Sequence, residues 1–159
     1  MVDAKQVQKI REMTGLGMMD IRNALEEAGG DEAQAMTLLE QRAGDKLEKR
    51  AGRTTSQGRI GNYVHMDNKL AAVVEVQCET DFVANSEDFV TFVKDLAMQI
   101  AAMKPETMAD LMAQDSLKES GKTVADLHKA LIAKTGENIV IKKFGLFQIG
   151  LDHNVSILE

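Results

Sequence analysis

The sequence predicts an α+β protein with an N-terminal unit of three helices, a connector, and a second unit in which strands, helices and strands follow one another. Three observations predict it. Apolar residues recur at spacings of three and four through residues 3–42. The run 42–59 then loses almost every large apolar side chain, and β-prone runs bracket two amphipathic stretches in the remainder. The chain has 159 residues, 44% of them apolar, enough for one ordinary core or for a very small one joined to a medium one. The expected division is 1–43, a linker over 44–58, and 59–159.

The first helix carries Val7, Ile10 and Met13, the second Met18, Ile21 and Leu25, and the third Ala35, Leu38 and Leu39. "TGLG" (14–17) separates the first two, Gly29-Gly30 stops the second, and Asp31 with Gln34 resembles a capping box that opens the third. At about three turns each, such helices must be held by packing rather than by propensity. The stretch "RAGDKLEKRAGRTTSQGR" (42–59) carries six bases against two acids and reads as a solvated connector or an exposed helix, with no site assigned to it.

In the second unit, "RIGNYVHM" (59–66) and "KLAAVVEVQC" (69–78) read as strands joined at Asp67-Asn68 by a tight hairpin turn. Val74, Val76 and Cys78 share one strand face. Phe89, Phe92, Val93, Leu96, Ile100 and Ala101 then recur at helical spacing, with Ser86 placed to cap and Glu87 and Asp88 in the first turn. That helix is expected to pack on the hairpin and to end at Pro105. Residues 105–122 are polar, with room for a short helix. Thr123 with Asp126 opens a further helix through Val124, Leu127 and Leu131, and 138–150 reads as a strand, with another suggested at 155–159.

Composition narrows the function. With 25 acids against 19 bases the net charge is −6, which repels phosphate backbones and favours a protein partner over nucleic acid. Cys78 is the only cysteine, so neither an internal disulfide nor a thiolate zinc cluster can form. A reducing compartment fits that. Residues 1–20 lack a signal-peptide pattern and no apolar stretch is long enough to span a bilayer, so the expected location is the cytoplasm, with an organelle matrix as the alternative.

A cysteine hydrolase would need Cys78 beside His65, His128 or His153, but strand alternation turns Cys78 inward as a small hydrophobe. Glu79, Asp81, Glu87 and Asp88 match no calcium loop, and "GLG" lacks the strand and the Lys-Ser/Thr pair of a phosphate loop. The expectation is therefore a non-enzyme without a cofactor. Two apolar features remain. Met18-Met19 follows the glycine turn, where adjacent residues cannot both face one core; loose packing and a partner contact are equally compatible with it. Phe82, between the last inward strand residue and the cap Ser86, is favoured by pattern as a core residue. The other reading is an aromatic presented on a short, stiff loop with little entropy left to lose on binding.

Four segments, "TGLGMMDIRNALEEAGGD" (14–31), "CETDFVANSEDF" (78–89), "AMQIAAMKP" (97–105) and "GENIVIKKFGLFQIG" (136–150), resemble elongation factor Ts in the same order. The resemblance implies a ubiquitin-associated-like three-helix domain, a linker and an α+β dimerisation-type core. It also implies guanine nucleotide exchange on the translational GTPase elongation factor Tu. On that resemblance, Asp81 and Phe82, flanked by Thr80 and Val83, are the pair that intrudes near the GTPase magnesium site, and Arg11, Met18 and Met19 contact its nucleotide-binding domain. This chain has one hairpin-plus-helix unit where long members have two, and it is short between Met103 and Thr123. Single-unit members can pair into homodimers, so the resemblance also implies that two copies of this chain can complete what one lacks. The competing reading is a non-catalytic adaptor that binds a peptide or ubiquitin-like partner through the three helices, with Phe82 in its own core.

Overall fold

The computed structural model describes residues 2–151, which form seven helices and three strands. Helix α1 (Ala4–Thr14) opens on Asp3, whose carboxylate accepts from Lys5 N while the Gln6 side chain accepts from Asp3 N, a capping box that sequence pattern did not suggest. It stops at Gly15, whose φ of 70° lies in the left-handed region that glycine enters without strain. Helix α2 (Met18–Glu27) and helix α3 (Glu32–Ala51) follow, α3 being capped by Asp31 through Gln34 N. Ile10, Ile21, Ala24, Leu25, Ala35 and Leu39 from all three helices form a buried cluster of their own.

The α+β class holds, and one expected element changes length. Helix α3 runs 20 residues, so 44–51 is helical and only 52–56 is neither helix nor strand before the sheet begins. Tertiary contacts carry the helix on: Leu47 packs against the core of the second unit, and the Arg50 guanidinium donates to Ile132 O at 3.2 Å.

Strands β1 (Gln57–Val64), β2 (Leu70–Cys78) and β3 (Ile139–Gln148) make an antiparallel sheet in the order β1-β2-β3. The β1–β2 connection is five residues long rather than a two-residue turn. It closes through Asn68 N donating to His65 O, with Asn68 at φ 57°. Opposite the step from Glu75 to Val76, β3 carries one extra residue, Lys142, in a bulge. Ala72, Val74, Val76 and Cys78 are buried on one face of β2, as alternation predicted, and Ile139, Ile141 and Phe144 join them from β3.

Helix α4 is the single turn Asp81–Ala84. Helix α5 (Glu87–Met103) packs across β1 and β2 with Phe89, Val93, Leu96 and Ile100 buried. It starts where Ser86 accepts from Phe89 N and ends at Lys104, one residue before Pro105. Helix α6 (Met108–Ala113) is the short helix expected in the polar stretch, and helix α7 (Val124–Thr135) carries the Thr123–Asp126 capping box. Buried Gln99 secures the segment between α6 and α7 by donating to Gln114 Oε1 and Asp115 O and accepting from Leu117 N. No helix among the described residues is long and apolar enough to cross a membrane. The strand suggested at 155–159 lies outside the described residues.

Candidate functional site

Strand β2 delivers the chain to Thr80 in extended conformation, and Thr80 turns it. Its hydroxyl oxygen accepts from Val83 N at 3.3 Å, which caps α4 and makes the expected loop a helical turn. The turn closes at its far end as well: Asn85 Nδ2 donates to Asp81 O at 2.8 Å, and Ser86 Oγ donates to Val83 O at 2.7 Å while also capping α5. Four residues of helix present one side to the core. Ala84 is buried there and Val83 packs against it, so Asp81 and Phe82 point away. Phe82 is 84% exposed, which excludes the core reading.

Two side chains brace this turn from outside its sequence. Glu137, just after Gly136 at the end of α7, accepts at Oε2 from Glu79 N (3.1 Å) and Thr80 N (3.0 Å), and at Oε1 from the Thr80 hydroxyl (2.5 Å). Arg59 on β1 donates from Nε to Ala84 O at 3.1 Å and from Nη2 to Asn85 Oδ1 at 2.9 Å. Hydrogen bonds with one ionised partner are the stronger class, contributing about 1.5–3 kcal/mol each when well formed. The backbone that carries Phe82 is therefore held at both ends. The carboxylate of Asp81 makes no hydrogen bond or ion pair among the described residues and is exposed beside the ring.

Beneath the turn, Cys78 donates its thiol to Thr80 O at 3.2 Å. Burial pushes the thiol pKa up and the nearby Glu137 charge adds to it, which favours the protonated form. His128 brings its Nε2 within 2.7 Å of Ile139 O and stacks on Phe92 at 6.1 Å between ring centres, and burial lowers its pKa. Both behave as packing residues. Among the described residues no group of three His, Cys, Asp or Glu is arranged to hold a metal ion.

The second candidate site is a shallow groove of about 930 Å³ between α1 and α2, lined by Val7, Arg11, Met18, Met19 and Arg22 among others. Met18 and Met19 are 56% and 66% exposed, so both point outward, contrary to the loose-core reading. Arg22 pairs with Glu26 at 2.9 Å, whereas Arg11 has no ion-pair partner among the described residues. Arg11, Met18 and Met19 thus share one surface, and Thr80, Asp81, Phe82 and Val83 share one turn on the other unit. Sequence reasoning missed Glu137 and Arg59. They stand 57 and 25 residues from what they hold, and no local spacing reports such a pairing.

Comparison with known proteins identifies relatives of the whole chain. A family model described as "Elongation factor TS" matches residues 79–157, which include the Phe82 turn, Glu137 and β3. An elongation factor Ts of Clostridium kluyveri is 42% identical over 144 residues, covering 91% of this chain but 47% of the relative, so the chain spans about half that protein's length. Shorter relatives match end to end. Those of Caldanaerobacter subterraneus subsp. tengcongensis and Leptospira biflexa are 35% and 36% identical over alignments of 195 and 194 residues, which cover 94% of this chain and 98% of each relative. With identity of that order sustained across nearly the whole of such relatives, the chain belongs to the elongation factor Ts family.

Proposed function

We propose that the protein is a guanine nucleotide exchange factor of translation elongation, binding elongation factor Tu in its GDP form and promoting GDP release. The observation that carries this is Phe82, 84% exposed on a helical turn fixed at both ends, with the free carboxylate of Asp81 next to it. An aromatic ring held at large exposure is costly unless something covers it, and a fixed backbone loses little entropy when that happens.

A factor that binds the empty GTPase more tightly than the loaded one weakens nucleotide binding by the same ratio. A shift of ~10⁴ requires ~5.5 kcal/mol of differential binding. Burying one Phe contributes ~1.5–3 kcal/mol. The ring therefore acts with others: Asp81 disturbs the magnesium ion that bridges protein and phosphate, and the Arg11, Met18 and Met19 groove on a ubiquitin-associated-like domain anchors the factor elsewhere on the GTPase. The factor makes and breaks no bond of the nucleotide, and the site is expected to need no cofactor.

The same reading includes a homodimer. Ile60, Val64, Val73 and Phe147 alternate onto the face of the sheet away from α5 and are 36–59% exposed, an apolar surface suited to a second copy.

Release of labelled GDP from elongation factor Tu is the test. Wild-type protein should accelerate it strongly and Phe82→Ala should remove most of the acceleration. Equal rates with wild type and with Phe82→Ala would refute the wedge. The adaptor reading would gain if wild type left the rate unchanged.

A further inference from the structure

We infer that Glu137 is a positioning residue for Phe82, setting the direction in which the ring is presented; this rests on Phe82 being the inserted group. One carboxylate oxygen receives two consecutive backbone N–H groups, those of Glu79 and Thr80, and the other receives the Thr80 hydroxyl. Two successive amides converging on one oxygen fix the orientation of the two peptide planes that meet at the Glu79 Cα. The third bond fixes the Thr80 side-chain rotamer, because a hydroxyl that donates to Glu137 turns its lone pair toward Val83 N, and that contact is the cap that starts the turn. The order of control is Glu137, Thr80 rotamer, helical turn, Phe82.

The clamp is itself anchored independently of the turn. Glu137 follows Gly136, the left-handed end of α7, and precedes Asn138. Buried Asn138 donates its side-chain amide to Arg53 O at 2.9 Å and Ala51 O at 3.4 Å, at the end of α3, and its backbone N donates to Glu79 Oε1 at 2.6 Å. Neighbouring Glu79 faces the Arg53 cation at 3.5 Å. The Glu137 carboxylate has no ion-pair partner among the described residues and accepts its three hydrogen bonds from Glu79 and Thr80, the residues that lead into the turn carrying Phe82.

Glu137→Gln keeps an oxygen acceptor for the two amides but turns an NH₂ donor toward the Thr80 hydroxyl, so that hydroxyl can no longer donate there, while Glu137→Ala removes all three bonds. Each is titrated against elongation factor Tu carrying labelled GDP, and backbone amide hydrogen exchange is followed in the free protein. For Glu137→Ala the plateau rate of GDP release should fall on the order of tenfold, the kinetic equivalent of one lost charge-assisted hydrogen bond. Glu137→Gln should recover part of it. The half-saturating concentration should move little in both. Reduced folding gives the opposite pattern, a raised half-saturating concentration with an unchanged plateau, because only the folded fraction binds. An unchanged plateau in Glu137→Ala overturns the inference, and if that variant does not fold, Glu137→Gln carries the same comparison. If wild type does not accelerate release, the proposed function is what fails. Exchange then decides the clamp: faster exchange at Val83, Ala84 and Asn85 in the variants upholds it, and unchanged protection overturns it.

Discussion

Phe82 and Phe89 lie seven residues apart and have opposite fates, 84% and 0% exposed. Phe89 sits in the first turn of α5, where capping by Ser86 fixes the helix phase so that the side chain faces β1 and β2. Phe82 sits in a four-residue helix whose phase no periodicity can reveal, since one turn offers no repeat. For that reason its exposure was not legible, and pattern favoured the core. The difference predicts two melting temperatures. Phe89→Ala should destabilise by ~3–5 kcal/mol through a core cavity. Phe82→Ala should melt close to wild type while losing exchange activity, and a large drop in its melting temperature would place the ring among packing residues.

Among the elements, α5 and the sheet depend on a close approach at Gly61. A Cβ built there would stand 2.5 Å from Val93 Cγ1 and 2.8 Å from Val93 O. The second neighbour is backbone, so rotamer adjustment alone cannot relieve the clash. Gly61→Ala should lower stability by about 1–3 kcal/mol by pushing α5 away from β1, measurable by denaturant titration. A neutral result would mean that α5 shifts without cost. Caps and alternation were legible here because they are local: Ser86, the Thr123–Asp126 box and the inward row Val74, Val76, Cys78 all stand where spacing put them. The length of α3 was not, because Leu47 and Arg50 extend it by contacts with the second unit.

Across the whole molecule, two separate surfaces should contribute to different stages of exchange. Met18→Ala with Met19→Ala trims the α1–α2 groove and leaves the Phe82 turn intact. That double variant should raise the half-saturating concentration for GDP release at an unchanged plateau, the reverse of the Glu137 result. A fallen plateau would show that the groove takes part in displacing nucleotide. The open sheet face makes a further prediction. Sedimentation equilibrium should show a concentration-dependent dimer, and Val73→Lys with Phe147→Lys should return it to monomer because two charges would then be buried at the contact. Wild type that remains monomeric at high concentration ends the dimer reading.

By itself, the sequence determined the α+β class, the strand faces, the caps of α3, α5 and α7 and a family resemblance strong enough to single out Asp81 and Phe82, since these are written in short stretches of the chain. The tertiary structure alone decided that Phe82 is exposed, that Met18 and Met19 both face outward, and that α3 reaches Ala51. It also supplied the brace: Glu137 meets Thr80 across 57 residues and Arg59 meets Ala84 across 25. Such pairings arise when β1 and β3 flank β2 and α7 ends beside Thr80. Hydrogen bonds act at ~3 Å in space, and the folded path of the chain sets which distant residues come that close.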